Sequence, residues 1–335
     1  MEFTYFIGTD VSKNELDFAV MHGNTLLFHK EIANKPGEIS IFIKELIKLD
    51  GFDLTRAVFC MEHTGIYNTH LLACLDKKGA HTCLEAATQI RQSLGNIRGK
   101  NDKIDAIRIA DYAYMKRDKL RLWKPKREVI QQLAHYSATR SRLIEAKKML
   151  TIPLKEHDAF SAKKIAKQSK ASCSNTLKAI DTDLNRVEKA MDKIIMEDPQ
   201  LKHLFDLVTS VCGVGKVTAT QVVITTNEFK DICNPKQYAC YAGVAPFTDE
   251  SGKIRKKARV SHMANKKVKK LLHMSAMVAI QHNPELKCYY QHKVIAEKKN
   301  KMSVINAVRN KLILRIFACV KQNRAYENNY QKLVA

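Results

Sequence analysis

The first 123 residues switch between two hydrophobic periods. "TYFIGTD" and "LDFAVMHG" read as buried strands separated by the turn-like "VSKNE", and "LLFHKEIA" reads as a third strand completing a meander. "KPGEISIFIKELIKL" opens on Pro-Gly, then repeats apolar residues at helical spacing: Ile39, Phe42, Ile43, Leu46 and Ile47. "RAVFCMEHTG" reads as a strand, "IYNTHLLACLDKKG" as a helix closed by Gly79, "HTCLEA" as a strand and "NDKIDAIRIADYAYM" as a helix. The order predicts an α/β segment with a mixed sheet.

Residues 124–200 read as helical throughout, punctuated by Pro125, Pro153 and Pro199. Leu177, Ile180, Leu184, Val187, Met191 and Ile194 step by three and four, the seam of a coiled coil. It covers only about two and a half heptads, so a hairpin within the chain explains it almost as well as a dimer. Residues 201–335 are mainly helical in pattern. "LKHLFDLVTSV", "CGVGK" and "VTATQVVITT" read as helix, glycine hairpin and helix. "KQYACYAGVAPF" and the turn-like "TDESGK" follow, then a basic run and two more apolar-periodic stretches.

Polar residues interrupt the strand pattern at telling places. Alternation puts Phe6, Gly8 and Asp10 on one face of the first strand. A carboxylate there costs free energy unless something pairs it. Glu62 ends an apolar strand in the same way. Asp102 and Asp105, three apart in "KNDKIDA", share one face of a helix. If the first and fourth strands are neighbours, Asp10 and Glu62 lie side by side, and the helix can add two more acids. Four carboxylates so placed need a counter-charge, and an all-oxygen site suits Mg²⁺ or Mn²⁺. A structural alternative makes Asp102 a helix cap, Asp105 a first-turn acid and Glu62 a lysine partner. An actin-like ATPase shares the strand order, but "DVSKNE" lacks the glycines of a phosphate loop.

Charge divides the chain. Residues 1–123 hold 17 Lys/Arg and 16 Asp/Glu; the rest holds 40 and 18, which places almost all of the net +23 after residue 123. "KIRKKARVSHMANKKVKK" (253–270) carries nine Lys/Arg and no acid. A polyanion, most simply nucleic acid, is the expected partner. The candidate contacts are Lys253, Arg255, Lys256, Lys257, Arg259, Lys266, Lys267, Lys269 and Lys270. No apolar run is long enough to span a membrane. Nine scattered cysteines without a CxxC pair fit reduced thiols in a cytoplasm. "MEFTYFIGTD" lacks the basic start of a signal peptide.

"GVGK" offers Gly213, Gly215 and Lys216 for a phosphate at a helix N-terminus. A plain turn between core helices is the alternative. Ser251 in "TDESGKIRKKAR" is either a turn residue or a nucleophile among cations that stabilise charge on an attacked phosphate. Spacing alone does not separate Ser251 from Ser261.

These motifs resemble a known family. "GTDVSK", "EHTGIY" and "KNDKIDA" look like the carboxylate motifs of the insertion-sequence one-ten transposases, relatives of Piv-type DNA invertases, also called bridge-RNA-guided recombinases. "GVGKVTATQVV", "YACYAGVAPFTDESGK" and "RVSHMANKKVKKLL" extend the match into the second half. The resemblance implies an RNase H-like (RuvC-like) domain over 1–123 with a DEDD metal site of Asp10, Glu62, Asp102 and Asp105. It implies a helical coiled-coil insertion over 124–200. It implies a C-terminal transposase domain over 201–335, with a helix-hairpin-helix and a serine that links covalently to DNA. The position before the glycine selects Ser251. Family members work as oligomers, dimers or tetramers, on donor and target double-stranded DNA in the nucleoid. A structured noncoding guide RNA pairs with both. This chain departs at Asn101, where Thr is frequent, and at His262 and Ala264, where Lys and Gly are frequent.

The resulting expectation is a Mg²⁺-dependent DNA recombinase acting through a phosphoserine intermediate. The rivals are a structure-specific nuclease using the same acids on water, and a non-catalytic nucleic-acid-binding protein.

Overall fold

The computed structural model describes residues 2–93, 101–251 and 254–327; the side chains of 249 and of 251–257 lie outside that description. The chain forms two compact units, Met1–Pro125 and Lys126–Ala335.

In the first unit, β1 (Tyr5–Val11), β2 (Glu15–His22) and β3 (Thr25–Ala33) form the antiparallel meander. Then come α1 (Pro36–Ile47), β4 (Ala57–Glu62), α2 (Thr69–Lys77), β5 (His81–Glu85), α3 (Ala87–Ser93) and α4 (Asp102–Met115). The sheet order is β3-β2-β1-β4-β5, with β1, β4 and β5 parallel. This is the mixed, RNase H-like sheet expected from the sequence. The two-residue period sorts its faces. Ile7, Phe18, Val20 and Phe59 pack with Ile39, Phe42 and Ile43 of α1 and Leu71 and Leu75 of α2. Phe6, Ala19, Val58 and Cys60 pack with Ala106, Ile109, Ala110 and Ala113 of α4. The alanines and Gly8 bring α4 very close to β1. A Cβ on Gly8 would stand 2.1 Å from the Ala106 carbonyl oxygen and 2.3 Å from the Ala110 nitrogen.

The second unit opens on α5 (Glu128–Phe160) and α6 (Lys163–Glu197), two long consecutive helices packed against each other as a hairpin. The apolar seam is accounted for inside the chain, with Val187 and Met191 buried. Pro153 does not punctuate the helix as its ring would suggest, because α5 continues through it and stops only at Ser161. Packing along α6 outweighs the missing hydrogen bond. Next come α7 (Pro199–Thr209), α8 (Lys216–Thr226), α9 (Pro235–Tyr241), β6 (Pro246–Ser251), β7 (Ile254–Val260), α10 (Lys266–His282), α11 (Pro284–Gln291) and α12 (Lys301–Gln322). Val308, Leu312, Ile313 and Ile316 of α12 lie at the centre of this core. The turn-like "TDESGK" and the basic run form an antiparallel β6–β7 hairpin, with Ser251 the last residue of β6 and opposite Ile254.

Arg127 clasps three segments of this unit. Its guanidinium donates to both Asp198 oxygens at 2.8 and 3.1 Å and also grips Glu228, whose side chain is fully buried. Burial pushes the Glu228 carboxyl up, but Arg127 and Lys230 outweigh it and hold the pKa below the ordinary value. Glu228 sits between Asn227 and Phe229 in three successive left-handed residues, with φ of 49°, 57° and 62°. That conformation costs roughly 1 kcal/mol or more per residue, so the clasp must hold it. Arg127→Ala is expected to destabilise this unit by about 3 kcal/mol, because it leaves the buried Glu228 carboxylate with Lys230 as its remaining cation and unties Asp198. A denaturant titration checks this.

Candidate functional site

β1 and β4 run parallel with Thr9 opposite Met61, so Asp10 and Glu62 follow side by side at the C-terminal ends of their strands. Both lie on the face that α4 covers, as Phe6, Gly8, Val58 and Cys60 do. Asn101 caps α4, its side chain accepting from the Lys103 N–H at 2.9 Å. Asp102 is therefore not the cap, and Asp102 and Asp105 both lie in the first turn. Asp10 feels the others. The Asp10 carboxyl is pushed up to about 6, first by burial, then by the charges of Asp102, Asp105 and Glu62.

Among the described residues, no three His, Cys, Asp or Glu side chains converge on one point as ligands would. Asp105 is held by Arg108 at 2.8 Å and would have to turn from it to bind a metal. The donor set nevertheless fits a hard divalent cation in kind: all oxygen, excess negative charge, and one acid already driven toward protonation.

Sequence reasoning missed a fifth acid. Glu85 ends β5 as Glu62 ends β4, and the two are register partners. Its charge adds to burial in pushing the Tyr112 hydroxyl up to about 12. The sequence signal was the same as for Glu62, an acid closing an apolar strand. Asp17 lies opposite Asp10 across β2, but His29 answers it at 2.8 Å.

The raised Asp10 pKa has a definite sign. Stability from its protonation is complete below about pH 4 and is lost as pH rises through about 6. In metal-free buffer, Asp10→Asn is therefore expected to raise the melting temperature by a few degrees at pH 8 and to change it little at pH 4. Thermal unfolding at the two pH values is the check.

The second unit carries the serine and most of the cations. Ser251 closes β6; its side chain, all of Lys253, and the side chains of Arg255, Lys256 and Lys257 lie outside the described residues. Arg259 is exposed on β7. Ser261 has a local task, its hydroxyl accepting from the Met263 N–H at 3.0 Å.

The glycine hairpin joins α7 to α8, as expected of a helix-hairpin-helix, and its two glycines differ. Gly213 has φ +89°, and a Cβ there would stand 2.4 Å from the Ser275 carbonyl oxygen of α10. Its bareness serves core packing, which is the plain-turn alternative. Gly215 faces open space at the start of α8. Lys216 bonds both oxygens of Asp192 at 3.0 Å. On α10, Lys266 and Lys270 are exposed, and Lys267 reaches the Ser137 hydroxyl at 3.3 Å. The Lys269 ammonium lies over the Gly243 turn. Ala264 fills the space beside Gly243, 2.4 Å from where a Cβ would stand.

Two family models match this architecture. One, a DEDD transposase domain of the IS110 type described as "Transposase", matches residues 7–157. The other, "Transposase IS116/IS110/IS902 family", matches residues 205–291. The chain carries transposase domains of the IS110/IS116 type in both halves. It is 24% identical to the "Pilin gene-inverting protein" of Moraxella bovis, over 96% of this chain and 97% of that one. The Moraxella lacunata protein of the same name is equally similar. An uncharacterized 43.6 kDa protein of insertion element IS110 from Streptomyces coelicolor is 23% identical, over 47% of this chain and 38% of that one. Thermus thermophilus RuvC, "T. thermophilus RuvC in complex with Holliday junction substrate", aligns with 36% of this chain and 99% of its own at 13% identity, with a TM-score of 0.29, too slight to argue from. The first match spans all four acids and the second spans the β6–β7 hairpin. No helix among the described residues is long and apolar enough to cross a membrane.

Proposed function

We propose that this transposase is a divalent-metal-dependent DNA recombinase that cuts and rejoins strands through Ser251. The observation that carries the reading is the placement of Asp10 and Glu62 side by side at the ends of two parallel strands, on the face covered by α4, whose first turn holds Asp102 and Asp105. The whole-length likeness to proteins named for inverting a pilin gene supports strand exchange as the outcome.

In this scheme the Ser251 Oγ attacks a DNA phosphorus. A phosphoserine bond forms as the P–O3′ bond breaks, and the serine proton passes by way of water to the departing O3′, which leaves as a 3′ hydroxyl. Rejoining reverses the step with a different 3′ hydroxyl, so phosphodiester energy is conserved and no ATP is needed. Asp10, Glu62, Asp102 and Asp105 would hold Mg²⁺ or Mn²⁺. A cation bound there would offset their charge and lower the pKa of an attacking hydroxyl. Asp105 would exchange Arg108 for that cation. Arg255, Lys256, Lys257 and Arg259 would neutralise phosphate charge around the hairpin. The acids and the serine belong to different units, and the scheme requires both to act on one phosphate. We further propose that a structured noncoding RNA pairs with donor and target, and that the enzyme acts as a homo-oligomer. The basic second unit and the family resemblance support the RNA.

A second reading keeps the acids and activates water, because the first unit alone carries a full set of carboxylates. A suicide duplex incubated with protein and Mg²⁺ decides between them. The proposal expects a denaturation-resistant protein–DNA adduct. Free 5′ phosphate ends without an adduct would favour the nuclease. RNA recovered with the purified protein should contain loops complementary to DNA flanking its gene.

A further inference from the structure

The β6–β7 hairpin is built unlike the rest of its unit. Pro246, Phe247, Thr248 and Glu250 of β6 are exposed, as are Ala258 and Arg259 of β7. Successive residues of a strand face opposite ways, so both faces of the hairpin meet solvent. The apolar core of the unit is helical and takes no residue from either strand. A two-stranded ribbon with nothing packed on it is marginally stable in water. A binding partner is therefore expected to cover part of it.

Phe247 is the large apolar residue on this ribbon's first strand, and it is 50% exposed. A single exposed apolar side chain is ordinary on a protein surface, but three features set this one apart. It lies on the strand that ends at Ser251. Its register partner is Arg259, and directly opposed residues of an antiparallel pair project from the same face. The ribbon around it is cationic, with Lys253, Arg255, Lys256, Lys257 and Arg259 against Asp249 and Glu250. A purely apolar partner would leave these cations unanswered, and a purely anionic one would leave the ring bare. A nucleotide answers both, its base against the ring and its phosphate against the guanidinium.

We propose that Phe247 stacks on an unpaired base of the DNA held by this hairpin, with Arg259 on the adjoining backbone. Four residues separate Phe247 from Ser251, about 13 Å at the rise of a strand. DNA advances about 3.4 Å per nucleotide along one strand, so the stacked base lies within roughly four nucleotides of a phosphate at Ser251. Every base offers a stacking face, so the contact gives DNA a register without reading its sequence. This rests on the reading of the second unit as the DNA-binding one.

The test compares wild type, Phe247→Ala, Phe247→Tyr and Arg259→Ala in the full chain, on a DNA duplex that carries an unpaired stretch. Affinity is measured against salt, and melting temperature is measured without DNA. Phe247→Ala should bind about tenfold more weakly with the wild-type salt slope, because it loses a base and no phosphate. Phe247→Tyr should bind as the wild type does. Arg259→Ala should flatten the slope by about 1. The chain has one tryptophan of its own, Trp123, so Phe247→Trp adds a single probe, whose emission DNA should quench beyond any change in the wild type. Wild-type affinity in Phe247→Ala, or an unquenched probe in Phe247→Trp, would overturn the inference. So would a lower melting temperature in Phe247→Ala, which would make the ring structural. A change of oligomeric state in Phe247→Ala with DNA affinity intact would make it a contact between copies and overturn it too. Failure of the wild type itself to bind DNA would instead remove the DNA reading, and this inference with it.

Discussion

Ser251→Ala should leave no covalent protein–DNA adduct on a suicide substrate, with yield below about one-thousandth of wild type, while DNA binding persists. The expectation follows from the division of labour along the chain. In the proposed scheme the attacking oxygen is one atom on the last residue of β6, whereas DNA affinity would be spread over many lysines and arginines. Removing the hydroxyl would then delete the nucleophile and almost nothing else. Ser261→Ala is the internal control. Its hydroxyl caps a local turn through Met263, so its loss should cost a few tenths of a kcal/mol in stability and leave adduct yield near wild type. Undiminished adduct in Ser251→Ala, or loss only in Ser261→Ala, would reject the assignment.

Gly8→Ala should be nearly as damaging, though Gly8 bears no reactive group. The added methyl would meet backbone on both sides, at 2.1 Å from Ala106 and 2.3 Å from Ala110. Neither is a side chain that can swing away, so α4 must shift off β1. Overpacking of this kind costs about 3 kcal/mol or more. The shift also carries Asp102 and Asp105, one turn earlier on the same helix, away from Asp10. A displacement of about 1 Å in a catalytic constellation costs roughly a hundredfold in rate. The Asp10 pKa should fall as its neighbours recede. Adduct-formation rate, thermal unfolding and an NMR titration of the Asp10 carboxyl would show the three effects together. A Gly8→Ala protein with wild-type stability and rate would mean that α4 does not set the site's geometry.

The acids that end β1 and β4 were legible because each interrupts an apolar alternation, and the Asp102/Asp105 pair because helical spacing puts both on one face. The sheet followed from period alone: two in the strands, 3.6 between them. Glu85 was legible by the same rule as Glu62, but its strand is short and half-buried, which weakens the contrast. The β6–β7 hairpin was hidden by charge. Ile254, Ala258 and Val260 alternate as a strand should, but the lysines and arginines between them mask the period. Pro153 misled because local propensity forbids what packing along α6 allows. The Arg127 clasp and the buried Arg309–His273 pair had no local signature, since each depends on residues tens to a hundred positions away.

The proposed chemistry stands on four acids forming one divalent-cation site, which Mn²⁺ binding at pH 8, followed by electron paramagnetic resonance, tests in the wild type and in Asp10→Asn, Glu62→Gln, Asp102→Asn and Asp105→Asn. Saturable binding that each substitution weakens by about tenfold or more is expected. Wild-type Mn²⁺ affinity in all four variants, or no saturable binding by the wild type, would contradict it.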